Sequence, residues 1–143
     1  VAGDIARAGV PVVIHPMQNI QSMESPGVTP ENAARLHAAG VTLAFASFDG
    51  HNARNLRQYA GNAVAWGLPH DAALRALTLA PAELWGVADR YGSLQPGRDA
   101  DVVVWSGDPF EVTTHADHVF IRGLEAPPDT RQTELLRRYR TLR

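Results

Sequence analysis

The stretch "GVTLAFASFDGHNARNL", Gly40–Leu56, decides which fold to expect. Its run "VTLAFAS" is apolar and lacks the alternation of a half-exposed strand, which predicts a buried β-strand. The run ends at Asp49, and "NARNLRQYAGNAVAWG" then has the periodicity of an amphipathic helix that stops at Gly67. The stretch therefore predicts a strand followed by a helix, with a carboxylate between them.

A second unit of the same kind lies just upstream. "VPVVIHP", Val10–Pro16, is a short β-branched run between a glycine and a proline, and "TPENAARLHAAG" after it predicts a helix that ends at Gly40. Alternation of strands and helices implies that the two strands pair in parallel. Parallel α/β folds place function at the carboxyl ends of their strands. Asp49 and His15, which stand at these ends, are therefore candidate site residues.

Composition excludes several classes of protein. With 143 residues, 45% of them hydrophobic and 20% charged, the chain is expected to fold. A formal net charge of −2 without a basic block argues against nucleic-acid binding, and no apolar run approaches the roughly 20 residues of a membrane span. The absence of cysteine excludes disulfides and thiolate sites. We expect a soluble protein that acts neither on nucleic acid nor in a membrane, and its compartment stays unassigned.

The chain becomes glycine-punctuated and β-rich from Tyr91 onward. Strands are predicted over Asp101–Trp105 and in "HVFIRG", and the tail "TRQTELLRRYRTLR" predicts a helix that Asp129 and Gln132 begin in the manner of a capping box. The apolar face of this helix should comprise Leu135, Leu136, Tyr139 and Leu142. The three tryptophans, which we expect to pack in the core or at a domain junction, are Trp66, Trp85 and Trp105.

Local pattern alone leaves two interpretations of the loop after the second strand. Asp49 can serve catalysis, or it can form an Asp-Gly turn or cap the helix that begins near Asn52. His51 lies two residues further on and can contact a substrate or simply face solvent. His15 before Pro16 can be a ligand or a strand-end residue whose polar groups are satisfied by the backbone.

The segment "ALRALTLAPAELWGVADRYGSLQPGRDADVVVWSGDPFEV" resembles the C-terminal signature of the amidohydrolase superfamily, especially its imidazolonepropionase-like metal-dependent hydrolases. "VTLAFASFDGHNARNL" is similar to the family's last barrel strand with its terminal aspartate, and "VPVVIHP" to the strand before it. The residues that fit the signature are Thr78, Pro81, Ala82, Gly86, Gly92, Ser93, Leu94, Pro96, Gly97, Ala100 and Asp101.

The resemblance implies an α/β fold that is the C-terminal part of a (β/α)8 barrel. The last two strands and their helices would occupy residues 1–86. Residues 87–127 would supply the C-terminal strands of a small β-sandwich that is built from both chain ends. A C-terminal docking helix would follow over residues 128–143.

The resemblance also implies a metal-dependent hydrolase of C–N bonds, which would act on a small amide, cyclic amide or dipeptide-like substrate. Asp49 would be both a ligand of a divalent ion, expected to be zinc, and the catalytic proton carrier, with Gly50 letting the backbone turn away from the ion. His51 would contact substrate. Phe48 departs from the family pattern, which often has threonine or serine before the aspartate.

The rest of the family's ligand set has no match in this chain. No His-x-His pair is present, lysine is absent, and none of the six histidines stands where the family has its ligands. We therefore expect the isolated chain to be inactive without the N-terminal part of the same protein. We also expect either that part or a self-association partner to cover the open edge of the sheet. The alternative is a non-catalytic binding or interaction module that retains the scaffold.

Overall fold

The computed structural model describes residues 1–18 and 21–140. Its strands are β1 Val12–Ile14, β2 Leu43–Phe45, β3 Val102–Trp105, β4 Ala116–Ile121 and β5 Leu124–Glu125. Its α-helices are α1 Ala2–Arg7, α2 Asn32–Ala38, α3 Leu56–Ala65, α4 His70–Leu77, α5 Leu79–Leu84 and α6 Arg131–Tyr139. Short 3₁₀ helices cover Pro16–Gln18 and Gly50–Asn55. Within the described ranges, no helix is long and apolar enough to cross a membrane.

The strands β1 and β2 pair in parallel, as the sequence predicts. Val12 lies opposite Leu43 and Ile14 opposite Phe45, and the backbone N–H of Ala46 donates to the carbonyl of Ile14 at 3.0 Å. Every residue of β2 is buried, which agrees with its uninterrupted apolar run. The parallel register brings the carboxyl ends of both strands to the same edge of the sheet.

Helices α2 and α4 pack against β2, and α3 packs on both of these helices to complete the core. Alanines occupy the positions where α3 and α4 meet, and their short side chains let the two helices approach closely. Gly40 and Gly67 follow α2 and α3 with φ of +86° and +95°, so both predicted helix ends are confirmed. The core comprises Ala33, Leu36, Val41, Leu43, Phe45, Ala60, Ala63, Leu68, Ala73, Ala76 and Phe110.

A separate antiparallel sheet has the strand order β3, β4, β5. The strand predicted over "HVFIRG" is wrong at its end, because β4 stops at Ile121 and the chain turns back into β5 through Arg122 and Gly123. Both turn residues have positive φ, as in a two-residue hairpin. The Asp101 carboxylate accepts the N–H of Arg122 at 2.8 Å and so satisfies a backbone donor of this turn. Its neighbour Asp99 instead pairs with Arg90, and hydrogen bonding to that guanidinium lowers the pKa of Asp99.

The ion pair between Asp99 and Arg90 makes the stability of the protein depend on pH, and the direction of that dependence follows from the lowered pKa. A carboxyl group whose pKa is lowered by folding stabilises the protein above its unfolded pKa, and the contribution is lost as the pH falls through the folded pKa. The contribution of Asp99 therefore disappears in acid. His118 has the opposite behaviour, because its hydrogen bond to Glu125 raises its pKa. The stabilisation from His118 is complete below its unfolded pKa and is lost as the pH rises through the folded pKa.

Arg57 joins α3 to the loop between β3 and β4. Its guanidinium donates to the carbonyl oxygens of Pro109 at 2.8 Å, Glu111 at 2.9 Å and Thr114 at 3.0 Å. The same group lies 5.1 Å from the ring centre of Trp105. One side chain thus supplies three donors to a loop more than fifty residues away in the sequence.

Replacing Arg57 by alanine should lower the free energy of unfolding by about 2 kcal/mol, because three loop carbonyls lose a charged donor and Trp105 loses its cation. Arg54→Ala is the matched control, since Arg54 is an exposed arginine three residues earlier. It should change stability by no more than about 0.5 kcal/mol. Thermal or chaotrope denaturation of the full-length variants measures the difference. Equal effects of the two substitutions would contradict the bridging role.

Core packing is wrong for two of the three tryptophans. Trp66 and Trp85 are 51% and 64% exposed in this chain, and each lies one residue beyond its helix. Trp105 is partly buried and packs on Arg57. A place at a domain junction stays a prediction for all three.

The start of α6 also differs from prediction. The capping box is formed by Thr130 and Thr133, while Asp129 binds Arg137. The side chain–backbone bonds that cap a helix need the residue with extended backbone directly before the first turn, and that residue is Thr130. None of the described residues of α6 is buried. Leu142 of the predicted apolar face lies outside the described residues.

Candidate functional site

Asp49 lies at the carboxyl edge of the parallel sheet, four residues after the end of β2. Its backbone is extended, with φ −130° and ψ 122°, and it directly precedes the 3₁₀ helix Gly50–Asn55. The side chain is exposed and makes no capping bond to that helix. Within residues 1–18 and 21–140, its one hydrogen-bond contact is a long one of 3.4 Å, which Oδ2 accepts from the Asn52 amide. Capping therefore does not account for the carboxylate, whose lone pairs remain available.

The turn that presents Asp49 is held by Ser47 and passes through an unusual backbone conformation. The buried Ser47 Oγ donates to the carbonyl of Asp49 at 2.8 Å, and the Asp49 N–H lies 3.4 Å from the same Oγ. Between them, Phe48 adopts φ +55°. A bulky residue in this region costs about 1–2 kcal/mol, which the surrounding contacts have to offset. Such strain clusters at functional sites.

The turn does not require the conformational freedom of glycine at Gly50, and the expected part of Gly50 beside an ion stays a prediction. Its φ is not in the left-handed region, and a Cβ built on it meets nothing within 4 Å. The chain changes direction two residues earlier, because the Ser47 hydroxyl closes a ring around Phe48 and fixes the left-handed conformation there. Sequence reasoning missed Ser47, although a serine two residues before the aspartate is a known signal for such a side-chain turn.

His15 directly follows β1, lies beside this turn and is only 9% exposed. Its Nδ1 accepts the backbone N–H of Met17 at 3.2 Å, which agrees with the interpretation of His15 as a strand-end residue that binds the backbone. That bond leaves the proton of a neutral imidazole on Nε2. The ring lies 4.5 Å from that of Tyr59 and 6.5 Å from that of Phe48, measured between ring centres.

His51 lies on the 3₁₀ helix two residues beyond Asp49, and its side chain is exposed. No hydrogen bond joins it to Asp49 or His15 in residues 1–18 and 21–140. The structure thus brings His15, Phe48 and Asp49 to one edge of the sheet, and it leaves the substrate role of His51 a prediction.

The described residues do not form a complete metal site. Residues 1–18 and 21–140 hold no group of three or more histidines and carboxylates placed to bind one ion. Asp49 fits one position in such a site, because it is an exposed carboxylate on a fixed turn and its oxygens have a single weak partner in the part of the chain that the structure describes. The other ligands would have to come from elsewhere in the protein.

A serine, a histidine and an aspartate also come together on the antiparallel sheet. Ser106 Oγ lies 3.2 Å from His115 Nδ1, and His115 Nε2 lies 3.2 Å from Asp117 Oδ1. However, the Ser106 hydroxyl also accepts a hydrogen bond from the backbone N–H of His115, and the backbone N–H of Ser106 donates to the carbonyl of His115. These exposed groups close the β3–β4 connection, and nothing about them indicates an activated nucleophile.

Comparison with known proteins agrees with this geometry. The sequence profile of the Amidohydrolase family matches residues 5–127. The chain belongs to the amidohydrolase family. The resemblance drawn from the glycine- and aspartate-containing segments is thereby confirmed, and the mixed α/β fold is part of a TIM-barrel-type domain.

Individual relatives of this amidohydrolase chain are considerably longer. Amidohydrolase tasK from Hapsidospora irregularis is 36% identical over 96 residues, which are 66% of this chain and 10% of that protein. An amidohydrolase crystal structure from Thermotoga maritima MSB8 has 32% identity and a TM-score of 0.77 over 87% of this chain and 33% of its own. A zinc-bound adenosine deaminase from Xanthomonas campestris shares the fold, with 24% identity and a TM-score of 0.59 over 96% of this chain and 38% of its own.

Proposed function

We propose that this chain is the C-terminal portion of a metal-dependent amidohydrolase that hydrolyses the C–N bond of a small amide, cyclic amide or dipeptide-like substrate. One observation carries the proposal: an exposed carboxylate that caps no helix stands at the carboxyl edge of a parallel sheet in an amidohydrolase-family chain. Catalytic groups of α/β barrels are found at this edge, because several strand ends converge there.

Asp49 has two tasks in this proposal. Its carboxylate holds one coordination position of a divalent ion, and it accepts the proton of the attacking water and returns it to the departing amine. The Ser47 bond fixes the backbone that carries this carboxylate, which limits the reorganisation needed during reaction. His51 would contact the substrate from the adjoining 3₁₀ helix. When bound, the ion supplies the Lewis acidity that polarises the scissile carbonyl and activates water.

The remaining ligands are proposed to come from the N-terminal part of the same protein. In this proposal residues 1–86 belong to the barrel, residues 87–127 to a sandwich shared with the chain's other end, and residues 128–143 to a docking helix. In the described ranges the parallel sheet has only β1 and β2, so each strand has one unpaired edge. We propose that the rest of the protein, or a second copy, covers these edges.

The test uses the full-length protein. We expect stoichiometric bound divalent metal by mass spectrometry after dialysis, and zinc is the first ion to examine because a zinc enzyme shares the fold. Removal by a chelator should reduce hydrolysis of an amide and lactam panel by at least about a hundredfold, and added zinc should restore it. Full-length protein that binds no metal and hydrolyses no panel member would instead be the non-catalytic module.

A further inference from the structure

Phe48 is an exposed aromatic side chain beside the candidate catalytic carboxylate. Its side chain is 65% exposed in this chain, which spans about a third of the length of the amidohydrolase structures it matches. It stands one residue before Asp49, on the turn at the carboxyl edge of the parallel sheet. The Cα atoms of Phe48 and Asp49 are therefore about 3.8 Å apart, as across any trans peptide bond.

The position of the ring is fixed by its neighbours. Phe48 is in the left-handed region at φ +55°, and the two contacts between Ser47 and Asp49 close the turn around it. Its ring is inclined by 25° to that of the buried His15, at 6.5 Å between centres. The ring of Tyr59 in turn packs on the imidazole of His15, with 4.5 Å between the two ring centres. The exposed ring thus continues an aromatic layer that begins in the protein interior.

We propose that Phe48 is a specificity-determining residue that contacts a flat apolar or aromatic group next to the hydrolysed C–N bond. This inference rests on the proposed function, because it takes the edge at Asp49 as the place of reaction. An aromatic ring recognises such a group by stacking and by excluding water from both surfaces.

Two probes that differ by one phenyl ring test the proposal on the full-length protein. N-acetylphenylalanine amide and N-acetylalanine amide share both amide groups, and calorimetric titration measures their binding without any need for turnover. We expect the phenyl probe to bind about five to ten times more tightly. Phe48→Ala should abolish this preference, while Phe48→Tyr, which keeps the ring, should retain it.

Trp66→Ala is the matched control. Trp66 is a comparably exposed aromatic residue, and it lies at the far end of α3, about 15 Å along the helix from the end that follows the Asp49 turn. This variant should leave the preference unchanged. A preference that survives in Phe48→Ala, or one that Trp66→Ala also removes, would overturn the proposal. So would a uniform loss of thermal stability in Phe48→Ala with equal binding of both probes, since that result indicates a packing residue.

The two proposals fail in different ways. A phenyl preference that depends on Phe48 in a protein without metal-dependent hydrolysis would refute the proposed reaction and leave this contact surface standing. Metal-dependent hydrolysis with identical kcat/KM for matched benzyl and methyl substrates, before and after Phe48→Ala, would refute the specificity role alone.

Discussion

Replacing Asp49 by asparagine is expected to reduce the kcat of the full-length protein by about a hundredfold to ten-thousandfold. Asparagine has nearly the same shape as aspartate. The Ser47 hydroxyl contacts only the backbone of residue 49, so the turn should keep its conformation. The amide, however, cannot accept a proton and is a weaker metal ligand than a carboxylate. The expected loss is that of a general acid–base group.

Three measurements on this variant separate the possible roles of Asp49. Metal content and kcat should both fall, while the melting temperature should stay close to that of the wild type. Asn52→Ala is the control, because it removes the only described partner of the carboxylate and should leave metal content unchanged. If Asp49→Asn retains activity and loses about 1 kcal/mol or less of stability, the residue is a turn former and the catalytic proposal is wrong.

The largest effect on stability is expected at Gly92. Its φ is +89°, and a Cβ placed on it would lie 2.8 Å from the Cβ of Ala82 and 2.9 Å from both the Cα of Leu79 and the carbonyl oxygen of Thr78. Backbone atoms of α5 cannot move aside as a flexible side chain can. Gly92→Ala should therefore lower the free energy of unfolding by about 3–4 kcal/mol, from backbone strain and overpacking together.

Gly97→Ala is the control that isolates the packing term. Gly97 has nearly the same φ, +87°, but a Cβ there would meet nothing within 4 Å. Only the conformational cost of about 1–2 kcal/mol should remain. Chemical denaturation of the two variants of the full-length protein gives the comparison. Similar losses for both would mean that α5 and the loop after it do not pack as closely as the structure describes.

Gly92 and Gly97 both belong to the family signature motif, and the sequence alone does not show which of the two tolerates a side chain less well. The turn pattern explains why each residue is glycine, because left-handed φ is readily accessible only without a side chain. The contact with α5 makes Gly92 the more demanding position, and that contact depends on how residues 78–82 fold back onto the loop.

In the candidate site, too, local sequence signals predicted some features, and others depend on contacts in the folded chain. The apolar run of β2 and the glycines after α2 and α3 are local signals, and they were sufficient to predict a parallel strand pair with Asp49 at its edge. The left-handed residue of the turn was not predictable in this way. Residue preference favours glycine for the left-handed conformation, whereas here the hydrogen bond of the buried Ser47 hydroxyl holds Phe48 in that conformation.

The amino-acid sequence by itself determined the family, the two strand–helix units and the place of the acidic residue in the chain, because periodicity, helix stops and turn residues act over a few neighbouring positions. Only the tertiary structure decided that Arg57 binds a loop more than fifty residues away, that α5 packs closely on Gly92, and that the Ser47 hydroxyl closes a left-handed turn at Phe48 beside Asp49. These features depend on which surfaces meet after the chain has folded, and such long-range contacts leave no periodic signal in the sequence.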